Sequence, residues 1–195
     1  MIIFLLKKNN SKTDKVEFFT LATFKQINDS YLYTAELYLD ERRSYRSSYF
    51  KGREVRNCFY YNSNNNKTHW LFPSHNQIII NQHWIRESEI NNNTTDEYGI
   101  SAKKKDLVKH LLYKVDNRAP ELEDRNKIPA THDIYISKAD GTELTKVLKQ
   151  LEFSYILYDK QNLIIFAEKD NQHVTYQIDL STLKVLEETY LDTAL

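Results

Sequence analysis

Three stretches of this chain repeat one pattern, and the repetition limits the fold more than any other feature. An alternating apolar strand runs into a polar turn, and a second short strand follows. The pattern occupies Cys58–Phe72, Asp133–Leu148 and Val174–Leu186. Period-two alternation marks strands with one buried face. A lone two-stranded hairpin cannot bury such a face, so the repeated pieces need neighbours to cover them. The turn chemistry is unusual, because the 195 residues include only 3 Gly and 3 Pro. Asn takes over the turn role in Asn64-Asn65-Asn66 and Asn91-Asn92-Asn93. Its short amide tolerates positive φ and bonds its own backbone.

The rest of the chain also reads as strand. Candidate strands cover residues 2–6, 16–21 and 31–39, then 77–81 with 83–85, and 110–115. In 31–39, Tyr31, Tyr33, Ala35, Leu37 and Leu39 share the face expected to be buried. A helix competes over 31–43, where Ala, Leu and Glu favour one. Four further strands, at 153–158, 162–167, 173–178 and 183–188, form a complete four-stranded unit. Within it Leu163-Ile164-Ile165-Phe166-Ala167 is apolar without alternation, as in a strand covered on both faces. Residues 77–148 would make a second such unit, widened by long polar connections at 86–105 and 116–132.

Spacing supports a repeat. Asn62 and Asp179 open comparable turns and stand three intervals of about 39 residues apart, close to the spacing of propeller blades. At Asp179-Leu-Ser-Thr-Leu-Lys184, and more loosely at Asn62-Ser-Asn-Asn-Asn-Lys67, the chain resembles β-propeller repeat proteins. Trp70-Leu-Phe-Pro-Ser-His-Asn-Gln77 and the run Asp133–Leu148 resemble uncharacterised bacterial propeller-like proteins. The likeness covers residues 55–190. It departs from the WD-repeat pattern, with no Trp-Asp dipeptide and no Gly-His signature. The resemblance implies an all-β fold: a propeller-like stack of about two to four antiparallel four-stranded units, partial or degenerate, behind an N-terminal strand-rich segment. One domain over 1–195 is expected, with 1–54 holding the N-terminal strands and a basic-aromatic loop, and 55–190 the blade-like repeats.

Chemistry is sparse. No Gly-x-Ser-x-Gly elbow and no Gly-rich phosphate loop occurs. The six His, at 69, 75, 83, 110, 132 and 173, show no close metal-ligand spacing. The acidic stretch Asp116–Asn126 fails the calcium-loop pattern, with Arg118 and Pro120 where oxygen ligands belong and Glu121 where Gly belongs. Cys58 is the sole cysteine, which precludes an internal disulfide and suits a small core residue. Trp70 and Trp84, flanked by apolar residues, read as core. Neither a catalytic residue, a metal nor a cofactor is expected.

The 27 basic and 27 acidic residues cancel, so no global field draws the chain to nucleic acid or anionic lipid. One segment mixes cations with aromatics. Arg42, Arg43, Tyr45, Arg46, Tyr49 and Arg53 are the candidate binding residues, since Arg and Tyr anchor protein interfaces. The same composition fits a solvated loop or a single-stranded nucleic-acid contact. The expected function is a non-enzymatic protein-binding or scaffold module of bacterial type, with an inhibitor or immunity-type protein as one form. The partner would be another protein or a second copy of the chain. The alternative is an enzyme or small-ligand binder with its pocket between blade-like units. No stretch is long and apolar enough to span a membrane. One cysteine and no signal-peptide pattern point to the cytoplasm, with the bacterial envelope as the alternative for a trimmed chain.

Overall fold

The computed structural model describes residues 3–6, 17–40, 54–87, 107–118, 130–159 and 162–191. The elements described along their length are all β-strands. The strands are β1 (Ile3–Leu6), β2 (Glu17–Leu21), β3 (Lys25–Ile27), β4 (Leu32–Asp40), β5 (Glu54–Asn62), β6 (Lys67–Trp70) and β7 (Ile79–Arg86). They continue with β8 (Val108–Asp116), β9 (His132–Lys138), β10 (Thr145–Leu151), β11 (Phe153–Asp159), β12 (Asn162–Lys169), β13 (Gln172–Asp179) and β14 (Lys184–Tyr190). The fold is all-β, with antiparallel strands in two sheets. The chain divides into two compact units, Met1–Ile80 and Asn81–Leu195.

In the first unit the strand order is β1-β2-β4-β5. β2 and β3 share one edge of β4, pairing with its end and its start respectively. The 31–39 segment is a strand, as its alternation predicts. Ala35 and Leu37 are buried on the expected face, whereas Tyr31 lies exposed in the turn before β4. Thr34, from the opposite face, is also buried. The core gathers Phe19, Leu21, Ala35 and Leu37, with Leu39, Phe59 and Trp70 packed against it. Cys58 is fully buried, and burial pushes its thiol well above the ordinary range. It is a small core residue, because a thiol kept protonated is no nucleophile. Trp70 is only half-buried, its ring edge-on to Phe59 at 4.9 Å and to His75 at 4.8 Å.

The second unit contains two meanders. One runs from the latter part of β7 through β8 and β9 to β10, each strand beside the next. The other is β11-β12-β13-β14, with strand limits within two residues of those read from sequence. The meanders pack face to face. Ile85, Leu112, Ile134, Ile136, Leu148 and Leu151 of the first meet Leu163, Ile165, Ala167, Val174, Tyr176, Ile178 and Leu180 of the second. Apolar burial of this kind stabilises by about 25 cal/mol per Å² removed from water. It is why the alternate, inward-facing residues of β12 and β13 are aliphatic or aromatic.

The three repeated hairpins share a turn chemistry that explains the scarcity of glycine. The Asn62 side-chain oxygen accepts from the Asn64 amide at 3.0 Å. Asp140 accepts from the Thr142 amide at 3.0 Å, and Asp179 from the Ser181 amide at 2.8 Å. Each is an Asx turn, in which the side chain replaces a backbone acceptor. Four residues after Asn62 and Asp179, Asn66 and Leu183 take positive φ, 54° and 55°. The tighter β12–β13 hairpin puts both Asp170 and Asn171 at positive φ, as a two-residue type I′ turn requires.

Candidate interaction face

The apolar run of β12 departs from its sequence reading in one decisive way. Leu163, Ile165 and Ala167 are buried, but Ile164 is half-buried and Phe166 is 37% exposed. The strand is covered on one face only. Its neighbour β11 has the same asymmetry: Ser154 is buried, whereas Phe153, Tyr155 and Leu157 are 59%, 57% and 41% exposed. Register places Tyr155 opposite Phe166 and Leu157 opposite Ile164. Five apolar side chains therefore stand together on the outer face of β11 and β12. The β13–β14 half of that face is polar, where Thr175 pairs with Thr189 and Gln177 with Glu187. Glu168 lies beside Phe153 at one end of the apolar patch. Among the described residues, β11 and β14 are the two edges of this sheet. β14 is exposed along its whole length, carries Lys184, Glu187 and Glu188, and is bulged opposite Gln177 and Ile178. Charge and a bulge discourage strand addition there.

The inner side of β11 faces a row of titratable groups on the first meander. Nε2 of His132 lies 2.8 Å from Oγ of Ser154. Nζ of Lys114 donates to the Ser154 carbonyl at 2.7 Å. The His83 ring stacks on Tyr158 at 5.5 Å. Burial, with Lys114 nearby, holds the His132 imidazole down to about 4, so it is neutral at pH 7. Burial also lowers Lys114 below the ordinary lysine range. Asp116 is held by Arg118, with Nε at 3.0 Å and Nη2 at 2.8 Å from its two oxygens. Asp133 receives Lys146 Nζ at 2.6 Å and the Gln150 amide at 3.0 Å. Burial works against its charge, but those donors win and keep its carboxyl below the usual range. His132, Lys114, Asp116 and Asp133 each have a polar partner here, and these contacts tie strands together.

The first unit has one comparable polar hub. Asn57 is fully buried. Its oxygen accepts from the amides of Cys58 at 2.9 Å and Phe72 at 3.0 Å. Its Nδ2 faces the carbonyls of Phe72 and Ser74 and Nδ1 of His75, at 2.9, 3.0 and 3.0 Å. An amide nitrogen only donates, so Nδ1 of His75 is the acceptor and the proton sits on Nε2. His69 stacks on Tyr60 at 5.2 Å.

The candidate binding residues read from sequence, Arg42, Arg43, Tyr45, Arg46, Tyr49 and Arg53, lie outside the described residues, as does most of the acidic stretch after Arg118. Trp84 is half-buried, with the Arg86 guanidinium 5.9 Å from its ring centre, rather than core. Among the described residues, no three His, Cys, Asp or Glu side chains gather as a metal site. No helix there is long and apolar enough to cross a membrane. The outer face was missed by the sequence reading. The signal in the sequence is the unbroken apolar run of β12 beside an aromatic β11, a pattern that burial on both sides also produces.

No family model matches the sequence, and no curated protein matches it. Among solved structures, the chain is similar to the crystal structure of Porphyromonas gingivalis dipeptidyl peptidase 4, with 13% identity and a TM-score of 0.37. The likeness covers 90% of this chain and 31% of that one, and similarity this loose fixes neither fold nor activity.

Proposed function

We propose that this chain is a non-enzymatic protein-binding module of open, propeller-like construction, and that it holds its partner against the outer face of β11 and β12. One observation carries the reading: Phe153, Tyr155, Leu157, Ile164 and Phe166 stand side by side with little or incomplete cover. Isolated exposed apolar residues are ordinary, but a contiguous patch with a polar border marks a surface that is covered in use. Aromatic side chains are the usual anchors of such contacts. The propeller-like part of the reading draws on the two four-stranded meanders of the second unit. They pack face to face as successive blades do, and the patch lies where a further unit would stack. The partner is another protein or a second copy of the chain. Net charge of zero leaves no long-range repulsion against either.

A photo-crosslinking residue in place of Tyr155 tests the reading, with one at the exposed Lys149 on β10 as control. The expected result is a discrete adduct from Tyr155 in cells that produce the protein, lost when Phe166→Lys is added. An adduct containing two copies of the chain identifies self-association. Equal labelling from both positions, or labelling indifferent to Phe166→Lys, overturns the proposal.

A further inference from the structure

We propose that His132, Ser154 and Lys114 form a proton-linked latch, in which acidification releases β11 from the face of the first meander while the rest of the second unit stays folded. β11 is an edge strand that pairs with β12 alone among the described strands. Its odd-numbered side chains Phe153, Tyr155 and Leu157 face outward, so they do not pack against the first meander. Only Ser154, Ile156 and Tyr158 face inward, and Ile156 and Tyr158 are partly buried. Few buried apolar groups and one hydrogen-bonded neighbour place the strand at the low end of local stability. What holds its first half is polar. Two side chains from two different strands converge on one residue: His132 of β9 on the Ser154 hydroxyl, and Lys114 of β8 on the Ser154 carbonyl.

That convergence makes the contact sensitive to one proton. With His132 neutral, Nε2 and the Ser154 hydroxyl share one hydrogen bond, and among the described residues Lys114 is the cation in contact with Ser154. Protonation fixes Nε2 as a donor to the Ser154 oxygen and puts a second positive charge near Lys114 at a buried imidazole, which disfavours the closed contact. The nearby carboxylates, Asp116 on the same face of the sheet and Asp133 on the other, offset this only in part. Asp116, paired opposite His132 on β8, is engaged by Arg118. Asp133, next along β9, is engaged by Lys146 of β10 and the Gln150 amide. The inward residue contributed by β10 opposite His132, Leu151, carries no charge. When β11 lifts away, the imidazole regains water and its ordinary affinity for protons, 6.5 instead of about 4. The sign follows. Above pH 6.5 opening takes up no proton. Between 6.5 and 4 the open state binds one more proton than the closed state. Opening then becomes more favourable by about tenfold for each pH unit of acidification. Below 4 both states are protonated and the dependence flattens.

Native-state amide exchange on the full chain, corrected for the intrinsic effect of pH, tests the latch. The opening constants of the β11 amides are expected to rise about tenfold per pH unit below 6.5, while those of the inner strand β13 do not. His132→Asn, which cannot titrate, is expected to abolish the slope. Lys114→Met is expected to raise opening at neutral pH as well. Parallel opening of β11 and β13, or a slope retained in His132→Asn, overturns the proposal. If His132→Asn fails to fold, the ring resonances of His132 in the unmodified protein decide. Titration near 4 supports the latch, and titration near 6.5 refutes it.

Discussion

Asn57 shows how one side chain can fix a local structure that its sequence neighbours do not reveal. It uses both amide atoms, fully buried, on the backbone of residues 58, 72 and 74 and on His75. Replacing it with Ala takes a partner from the buried amides of Cys58 and Phe72 and from the Phe72 carbonyl, and a buried group left unsatisfied costs about 1–3 kcal/mol. Partial relaxation reduces the total, so Asn57→Ala is expected to cost about 3 kcal/mol in urea unfolding, against under 1 kcal/mol for the exposed Asn65→Ala. A difference below 1 kcal/mol between the two variants would refute that account. The imidazole that Asn57 orients also links stability to pH. Burial lowers His75 below its ordinary 6.5, so the unfolded chain binds a proton first as the solution turns acid. The stabilisation is complete above pH 6.5 and is lost as pH falls toward the folded value. His75→Gln is expected to flatten part of the decline in a denaturation series between pH 7 and 5. An unchanged decline would show that His75 contributes nothing to it.

At the level of elements, β12 offers the sharpest contrast in the molecule. Ile165 is fully buried between the meanders, and Phe166, the next residue, faces outward. Truncating a buried Ile costs about 2–5 kcal/mol. Ile165→Ala should fall in that range, whereas Phe166→Ser should cost less, since more than a third of its side chain stays exposed on the outer face. Comparable losses for both would mean that the outer face is covered and that the proposed docking patch does not exist. The strand limits of β12–β14 were legible because Asx residues and positive-φ positions mark the two turns between them: Asp170 and Asn171 between β12 and β13, Asp179 and Leu183 between β13 and β14. The open face was not legible. Ile164 and Phe166 are as apolar as Leu163 and Ile165, and a partner outside the chain leaves the same imprint on a sequence as a second layer within it. The Ser154–His132 contact was hidden for a different reason. It joins residues 22 apart on strands of different sheets, and no local motif encodes such a crossing.

For the whole molecule, the division at Ile80 and Asn81 raises the question of which part carries the structure on which the proposals depend. Among its described residues the second unit contains its own core of thirteen buried residues, drawn from β7 to β13 and from Leu180 just after it. The polar contacts at Ser154, Asp116 and Asp133 are also satisfied from within residues 81–195. A domain of that length can bury enough apolar surface to fold unaided. Residues 81–195 alone are therefore expected to give a cooperative thermal transition with a far-UV spectrum dominated by strand. Exchange protection in β12 and β13 should resemble that of the full chain. The separation runs through β7, so Ile79 and Ile80 are lost from the start of that strand. Ile79 pairs with Val55 of the first unit, and Ile80 is 56% exposed, so neither belongs to the second core. Restoring Ile79 and Ile80 should accordingly change the midpoint by only a few degrees. A fragment that remains unfolded in both versions would show that the second core needs the first eighty residues to form. The face of β11 and β12 would then have to be understood as a property of the entire chain.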